Sequence, residues 1–585
     1  MNIEKILQDK HSSDKEQFDF IFSDEQRIIL TAPAGCGKTT AMISKIAREL
    51  CIGTISGNKK VLAMTFSVNA AMRIKDAVKK LLPDIVDNTK VLLNKIDIAN
   101  YHNFAMHLLH KYGYVLNNNF TNLSCFQVID ESAISNLGLL SSTDVDELEK
   151  LEEAIKRVDY TELSISISRY WDILNNKLIK SNVITYNGIL VAAIKLLSIE
   201  NISRFYSTYY QMIIIDEFQD TNLLGYLLID KLINNNKVIF LGDDVQKIYG
   251  FLGAITDALG MASEKYNAKT ISFKNNYRFM NNLRMKQLDL FIRDYIENYR
   301  LLERNATILL KKLVSDKDEV DFISEGVKKI IAINCGVAVL VRAGWQGKSI
   351  EDKFEREGIT YFNALYSEND DEYINFYKIA EEEFHKNVLG TASQSSLLNC
   401  LLSIKKRENE VYSDSNKKYI FDSLYKLLEK LFEVSKTWEE TPKERYINID
   451  YNLNNKGLKH MMEYLDEKVF LTTIHSSKGL EWDYIILPQM NASIFPSWKH
   501  ICKTCQYVSG YTAGYDYCIS KFAPEMKRKM VEEMSTYYVA LTRAKKEVFV
   551  TVNTGINKYG YVKKTSCLIN LPGLLHQDFE WDDYI

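Results

Sequence analysis

A glycine-rich segment near the N-terminus has the residue types that bind phosphate. It runs Ala32-Pro33-Ala34-Gly35-Cys36-Gly37-Lys38-Thr39. The apolar run at 28–31 predicts a buried strand before it, and residues 40–50 predict a helix after it. Backbone N–H groups of such a loop can surround phosphates, Lys38 can reach the β- and γ-phosphates, and the Thr39 hydroxyl can hold Mg²⁺. A chance loop before an amphipathic helix is the alternative.

Two acidic residues supply the second part of this chemistry. The apolar run 212–215 predicts a buried parallel strand, and Asp216 and Glu217 follow it directly. Ligand chemistry in open α/β sheets lies at that end of the strands. Asp216 can hold Mg²⁺ through water, and Glu217 can accept the proton of an attacking water. A solvated strand end is the alternative if the pair is taken alone.

A further predicted strand at 237–241 leads to Gln246. Its amide can sense the γ-phosphate or orient the attacking water. The alternative for Gln246 is a plain turn residue after a strand.

More short motifs follow in a fixed order along the chain. They are Asp24-Glu25-Gln26, Thr65-Phe66 with Ala70-Ala71-Met72, Tyr101-His102-Asn103-Phe104, Asp216 to Asp220, Gly242 to Ala254, Asn276-Tyr277-Arg278, Val339 to Arg342, Thr473 to Trp482 and Tyr538 to Ala544. In this order, and with the phosphate loop, they resemble the superfamily 1 DNA helicases of the UvrD/Rep/PcrA type. That family's own phosphate loop also begins with alanine, as this one does at Ala32.

The resemblance implies an α/β fold with two RecA-like P-loop NTPase domains, each with a parallel sheet and a mostly helical insertion. It implies ATP and Mg²⁺ as cofactors, with the nucleotide held between the domains. The residues that would contact the nucleotide are Gln26, Ala32, Ala34, Gly35, Cys36, Gly37, Lys38, Thr39, Thr40, Tyr277 and Glu481. Gln26 would recognise adenine, and Thr39 with Asp216 would hold the metal.

Two arginines complete the implied catalytic set. With Glu217 and Gln246, Arg278 and Arg543 would act on the γ-phosphate, and an arginine finger is worth about 10³–10⁵ in rate. The alternative for a lone arginine is a surface ion pair. The implied DNA contacts are Phe66, His102, Tyr249, Phe251 and His475. Base stacking on an aromatic ring contributes about 1–3 kcal/mol per base, and core packing is the alternative for each ring.

Two positions depart from the family pattern. Thr40 stands where the family usually has an arginine that stacks on adenine, which puts base selectivity in question. Leu252 stands where the family has a cationic residue beside the Phe251 position, which puts the link between phosphate and DNA in question.

The positions of the motifs predict the domain organisation. Residues 1–100 and 185–280 form the first motor domain, and the helical pattern of 101–184 forms its insertion. Residues 281–365 and 466–565 form the second motor domain. Residues 366–465 form its insertion, a shortened one by resemblance, and 566–585 form a C-terminal tail.

Composition sets limits on the site. Charged residues make up 25% of the 585 residues, and the formal net charge is −3, so any nucleic-acid site must be a local groove. The N-terminal segment lacks the apolar stretch of a signal peptide, and no run is long enough to span a bilayer. Scattered cysteines suit reduced thiols, and we expect a cytoplasmic protein.

Two weaker signals leave alternatives open. His500, Cys502, Cys505 and Cys518 could bind zinc, or they could be reduced cysteines in a loop. The acidic and aromatic residues of 577–585 could form a solvated tail or a docking peptide for a partner.

The leading hypothesis is an ATP-dependent DNA helicase or translocase on single-stranded and tailed duplex DNA. By resemblance it would move 3′ to 5′ and serve DNA repair or anti-phage defence. The alternative is an ATP-gated, DNA-binding regulatory subunit of a nuclease assembly without processive unwinding, in which a nuclease or a repair or defence protein is the partner. An RNA motor is a third hypothesis.

Overall fold

A computed structural model describes residues 3–86, 89–131, 134, 138–298, 304–436, 441–454, 456–497, 501–503, 524–556 and 560–585. The chain divides into two compact units, Met1–Tyr277 and Arg278–Ile585. Among the described residues, no helix is both long and apolar enough to cross a bilayer.

The first unit contains a parallel sheet of six strands in the order β3-β2-β6-β7-β1-β8. Its central strands β6 and β7 are buried along almost their whole length and have apolar middles, because both faces of the sheet are covered. The strands of this unit, with a separate two-stranded pair β4-β5, are β1 Arg27–Thr31, β2 Lys60–Thr65, β3 Ile96–Asn100, β4 Gln127–Ile129, β5 Val183–Thr185, β6 Tyr210–Asp216, β7 Lys237–Gly242 and β8 Lys269–Ser272.

The helices of the first unit include a long run between β3 and β6 in the chain. The helices are α1 Ile3–His11, α2 Lys15–Phe22, α3 Lys38–Cys51, α4 Val68–Leu81, α5 Thr89–Leu93, α6 Tyr101–Tyr112, α7 Ser142–Arg157, α8 Tyr160–Ile173, α9 Tyr186–Leu197, α10 Glu200–Tyr209, α11 Leu223–Asp230 and α12 Ala258–Tyr266. Helices α6 to α10 share one core with the sheet strands β6 and β7.

The second unit contains a parallel sheet of seven strands in the order β11-β12-β10-β13-β14-β9-β15. The strands are β9 Ala306–Leu313, β10 Val337–Val341, β11 Phe362–Ala364, β12 Val469–Thr473, β13 Trp482–Leu487, β14 Ala544–Asn553 and β15 Leu574–Gln577. Its helices are α13 Leu283–Asn298, α14 Asp316–Ala332, α15 Lys348–Arg356, α16 Asp371–Asn387, α17 Gln394–Lys406, α18 Glu408–Val411, α19 Lys418–Ser435, α20 Pro442–Asn454 and α21 Pro524–Leu541.

These two parallel sheets, each with a run of helices between two of its strands, confirm the predicted fold class. In the second unit that run is α16 to α20, between β11 and β12. The compact units divide between Tyr277 and Arg278. The finer division into motor domains and insertions stays a prediction.

The C-terminal residues are not a solvated tail. Residues 574–577 form β15, which pairs with β9 at the edge of the second sheet. Beyond it, Phe579 and Trp581 are buried, and the Trp581 ring stacks on Phe322 with centroids 4.9 Å apart. The acidic residues that alternate with these rings face outward; Asp582 lies 2.6 Å from Lys329 Nζ. Composition alone could not show this alternation of buried rings and exposed acids, so the tail folds back onto its own unit.

Candidate nucleotide and nucleic-acid site

The glycine-rich loop joins the C-terminal end of β1 to the first turn of α3. Gly35 and Gly37 have φ angles of 80° and 76°, in the left-handed region that suits glycine. A Cβ atom built on Gly37 would lie 2.6 Å from Gln17 Nε2, so any side chain at this position would displace the Gln17 amide. The backbone is held at its start and in its middle, because Ala32 N donates to Gly242 O and Tyr277 N donates to Gly35 O.

The structure brings Lys38 to both acidic residues at the end of β6. Lys38 Nζ lies 2.7 Å from Glu217 Oε1 and 3.0 Å from Asp216 Oδ1. Burial by itself lowers the pKa of Lys38, but the two carboxylates outweigh burial and raise it above its usual range. The lysine is therefore a permanent cation, placed at the phosphate loop and beside both carboxylates.

Asp216 has the character of a metal ligand. Its carboxyl group is buried, which raises its pKa against the opposing effect of Lys38. Its Oδ1 atom has the Lys38 ammonium at 3.0 Å and, among the described residues, no well-directed hydrogen bond. Thr39, the second residue of α3, offers a hydroxyl next to Lys38 in the chain. Oxygen donors of this kind suit Mg²⁺, so these residues fit the ion.

Glu217 is held by a chain of hydrogen bonds that sequence reasoning did not find. Gln219 Nε2 donates to Glu217 Oε2 at 2.6 Å, and Gln219 Oε1 accepts from Asp243 N at 3.1 Å. Gln246 Nε2 in turn donates to Asp243 Oδ2 at 2.8 Å. The chain links Gln246 to Glu217 through Gln219, which is fully buried. The signal in the sequence that could have pointed to Gln219 is its position two residues after Glu217 in the segment Asp216 to Asp220.

The structure does not bring Gln26 to the phosphate loop. Gln26 is exposed and precedes β1, whereas the loop follows the other end of that strand, and its carbonyl accepts from Val238 N in the sheet. The amide at the loop belongs to Gln17, whose Nε2 donates to Cys36 O at 3.1 Å. Gln17 comes from α2, and an Asp14 cap at the start of that helix was the available signal.

Tyr277 lies beside the same loop. Its ring comes within 3.7 Å of a Cβ atom built on Gly37, and its hydroxyl donates to Asp14 Oδ2. The residue is 44% exposed, so part of it is open to solvent beside the loop. Thr40, in the first turn of α3, is half-buried.

In the second unit, the two arginines meet at one place. Arg278 donates to Thr542 O and to Glu481 Oε1. The buried Arg543 donates to Val539 O at 3.0 Å and, through Nη2, to Thr542 Oγ1 at 3.2 Å. The structure thus brings Arg278, Arg543 and Glu481 together around Thr542, although 203 residues of chain separate Arg278 from Glu481.

The residues expected to contact DNA fall into three groups. Phe66 and Tyr249 lie together, with ring centroids 5.5 Å apart, beyond the C-terminal ends of β2 and β7. His102 packs edge-on against Tyr186, and burial lowers its pKa to about 4. His475 belongs to the second unit, where burial and Arg342 also lower its pKa to about 4. The side chain of Phe251 lies outside what the structure describes, and Leu252 is exposed.

The zinc hypothesis cannot be read from the described residues. His500, Cys505 and Cys518 lie outside them. Cys502 is buried, and its Sγ accepts from Ser493 N at 3.3 Å. Within the ranges that the structure describes, no group of three or more His, Cys, Asp or Glu side chains could hold a metal ion.

Comparison with known proteins gives matches in both units. Residues 13–267 match the family model described as UvrD/REP helicase N-terminal domain, and residues 364–555 match the one described as UvrD-like helicase C-terminal domain. A protein named "Probable DNA helicase II homolog" from Rickettsia conorii is 24% identical, over 92% of this chain and 92% of its own. One of the same name from Mycoplasma genitalium is 23% identical, over 95% and 88%. "ATP-dependent DNA helicase PcrA" from Staphylococcus aureus is 22% identical, over 93% and 84%.

Proposed function

The chain belongs to the UvrD-like helicases, a family of DNA-dependent ATPases that unwind DNA, and from this premise we propose that it moves 3′ to 5′ on single-stranded DNA and separates tailed duplexes. The observation that carries the ATPase part of the proposal is the position of Lys38 beside the carboxylates of Asp216 and Glu217. A cation, a general base and a metal ligand at one edge of a sheet are the groups that nucleotide hydrolysis needs. The direction of movement is proposed from the family resemblance.

We propose the following roles in the first unit. The loop N–H groups and Lys38 bind the triphosphate, and Lys38 then exchanges its contact with Glu217 for the phosphate. Glu217 accepts the proton of the attacking water, while Gln219 holds its second carboxylate oxygen. Gln246 is linked through Asp243 to the chain of hydrogen bonds that holds Glu217, and it responds to the γ-phosphate.

Thr39 and Asp216 would hold Mg²⁺, which when bound offsets phosphate charge. The exposed part of Tyr277 would stack on the purine base of the nucleotide. The Gln17 amide lies beside Tyr277 at the loop. This assignment replaces Gln26, which lies at the other end of β1.

In the second unit, Arg278 and Arg543 are the proposed arginine fingers. Both guanidinium groups lie around Thr542, with Glu481 beside Arg278. Their role is to stabilise the charge that develops on the transferred phosphoryl group.

For the DNA contact, the pair Phe66 and Tyr249 is the best-supported element. Two neighbouring rings at the edge of the sheet that carries the ATPase residues can stack bases of any sequence. His102 and His475 would contribute as neutral groups, because both have a pKa of about 4. Leu252 stands where the family has a cationic residue, so this region has one cation fewer than the family pattern.

The biological role is a further part of the proposal. We place the protein in the cytoplasm, where it acts on DNA in repair or in anti-phage defence. Its support is the similarity to bacterial proteins named DNA helicase II and PcrA. A nuclease or another repair or defence protein is the partner that this role would involve.

The test uses the full chain with three DNA substrates. These are single-stranded DNA, a duplex with a 3′ tail and the same duplex with a 5′ tail. We expect ATP hydrolysis to require DNA and strand separation on the 3′-tailed duplex alone. The matched control is Glu217→Gln, which should retain ATP binding and lose turnover by about 10²–10⁴-fold because the base is gone.

Three outcomes would contradict the proposal. Strand separation from the 5′ tail would reverse the direction. ATP binding with little turnover, relieved only by a partner nuclease, would support a regulatory subunit instead. Normal turnover by Glu217→Gln would remove the assignment of the base.

A further inference from the structure

We infer that the first unit carries a second binding site for single-stranded DNA, at the edge of its sheet opposite the ATPase residues. The site consists of aromatic rings at the end of α10 and the start of β6, with Lys60 and Lys111 beside them. The choice of DNA as the ligand rests on the proposed function, whereas the site itself is a separate surface. Its support is the geometry of the rings, their exposure and the balance of charge around them.

The rings lie at the N-terminal edge of the first sheet. Tyr210 is the first residue of β6 and pairs in register with Lys60, the first residue of β2. Asp216 ends the same strand, seven residues long, so the two edges are about 20 Å apart at about 3.3 Å per residue. This face is therefore distinct from the pair Phe66 and Tyr249, which lies beyond the C-terminal ends of the strands.

The outer rings are held in place by an inner layer. Phe205 and Tyr209 lie one turn apart on α10 and stack, with centroids 5.6 Å apart and planes 12° from parallel. Behind them, the ring of Tyr206 lies 5.2 Å from Phe205, and the ring of Tyr210 lies 5.0 Å from Tyr209. Both inner rings are buried, whereas Phe205 is 49% exposed. Rings that are fixed and partly open to solvent are the platforms on which unpaired bases stack.

One carboxylate lies at this face, and it is already neutralised. Lys60 Nζ lies 2.8 Å from Asp97 Oδ1, and the Tyr210 hydroxyl donates to Asp97 Oδ2 at 3.0 Å. Burial lowers the pKa of Lys60, but Asp97 and the Tyr209 hydroxyl outweigh burial and raise it. The Lys60 ammonium is therefore a cation next to the outer rings, and Asp97 adds no unpaired negative charge.

Lys111 supplies the excess of positive charge. It is exposed in the last turn of α6, and no acidic side chain pairs with it within the ranges that the structure describes. The next residue, Tyr112, packs edge-on against the buried ring of Tyr206, with centroids 6.1 Å apart. Burial lowers the pKa of His107, and Lys111 and Lys60 lower it further, so both cations lie near that one side chain. The face thus attracts a polyanion.

Rings and an unpaired cation on one face match the two parts of a nucleotide. A base can stack on the exposed part of Phe205 whatever its sequence, and a phosphate can pair with Lys111. The charges of α10 itself, Glu200 and Arg204, pair with each other and leave the balance unchanged. A strand already bound near Phe66 is present at high effective concentration. The second contact retains that strand and takes no part in hydrolysis.

Photochemical crosslinking of the full chain locates the site. The probe is a single strand of DNA of about 40 nucleotides, several times the length that one groove holds, with 5-iodouracil in place of thymine. Ultraviolet light joins this base to the aromatic ring beside it, and mass spectrometry of the peptides identifies the ring. We expect crosslinks at Phe205 or Tyr209 in addition to those at Phe66 and Tyr249.

The outcomes separate this inference from the proposed function. Crosslinks at Phe66 and Tyr249 alone would overturn the inference and leave the proposed function intact; the exposed rings would then be a docking face for a protein. Crosslinks at no residue, with ATP hydrolysis that does not respond to DNA, would contradict both.

Variants at Phe205 test the stacking contact. In Phe205→Ala we expect the DNA concentration for half-maximal ATP hydrolysis to rise about tenfold, because one stacked base is lost. The kcat at saturating DNA should stay within about twofold, since the ATPase residues are at the other edge. Phe205→Trp keeps a ring and should behave as the wild type. The control is Ile165→Ala on α8, where the side chain is 47% exposed. Equal DNA dependence in Phe205→Ala and this control would overturn the inference.

A variant at Lys111 tests the charge. In Lys111→Glu the slope of log Kd against log salt concentration for the same strand should fall by about 1, because one phosphate contact is lost. The control is Lys378→Glu, an exposed lysine on α16 of the second unit. The same slope in both variants would contradict the phosphate contact and with it the choice of a polyanion as the ligand.

Discussion

The ammonium nitrogen of Lys38 lies 2.7 Å from Oε1 of Glu217, so the phosphate-binding cation and the proposed base are paired with each other. We propose that a triphosphate at the loop draws Lys38 to the phosphate and leaves Glu217 to accept a proton.

Loss of the Lys38 cation should abolish turnover. In Lys38→Ala we expect kcat/KM for ATP to fall at least about 10²-fold, because phosphate charge loses its principal partner. Removing the lysine also leaves Asp216 and Glu217 side by side without their cation, so the apo protein should melt at a lower temperature. The control is Lys269→Ala, a lysine about half exposed. Turnover in Lys38→Ala near that of this control would contradict the assignment.

The Gln219 side chain should affect kcat and leave the binding of ATP almost unchanged. In Gln219→Met the Glu217 carboxylate loses its donor, and the Asp243 backbone N–H loses its acceptor. We expect kcat to fall about tenfold, a part of what a positioned base contributes, with KM within about twofold. Steady-state kinetics beside Gln211→Ala, a partly buried amide near the start of β6 that accepts from Ser56 N, would separate this from a general loss of stability. A rise in KM alone would instead place Gln219 in binding.

Arg543 should matter for the transition state. In Arg543→Ala we expect kcat to fall about 10³-fold while bound ATP remains detectable, because a finger acts on developing charge. Its buried position requires a melting curve for the same variant. Arg543→Lys keeps the charge without the planar fork and should recover only part of the rate. Equal retention of binding and turnover in Arg543→Ala would remove the finger role.

The C-terminal residues should stabilise the second unit. Trp581 is fully buried, and its Nε1 donates to Phe322 O at 2.9 Å. Trp581→Ala should destabilise the protein by about 3–5 kcal/mol, through lost burial and a cavity. Denaturant unfolding beside Asp582→Asn, an exposed neighbour, gives the comparison. A loss below about 1 kcal/mol would show that the segment is dispensable for folding, as in a solvated tail.

His102 should make the fold less stable in acid. Its pKa is 6.5 in the unfolded chain and about 4 in the folded one, because burial disfavours the charged ring. Between these values the unfolded state binds more protons, so stability is full above about pH 6.5 and falls as the pH drops towards 4. His102→Gln should recover about 1–2 kcal/mol of that loss at pH 5. Unfolding at pH 5 and 7.5 would check this, with the exposed His385→Gln as control; equal pH dependence in both variants would contradict it.

The sequence by itself determined the parts of the site that are contiguous in the chain. Glycines at 35 and 37 before Lys38 predict a phosphate-binding loop, and the apolar run before Asp216 predicts a buried strand with acids at its end. Neighbours along the chain are fixed by covalent geometry, so residue type and order were sufficient. The order of the motifs also led to the family and the fold class.

Only the tertiary structure decided which distant residues meet. It placed Gln17 at the loop where Gln26 was expected, linked Glu217 to Gln246 through Gln219, and brought Arg278 and Arg543 to Thr542. It also buried Trp581, which composition suggested was solvated or docked on a partner. These contacts depend on sheet order and on the packing of side chains from many segments, and no local pattern of residues encodes either.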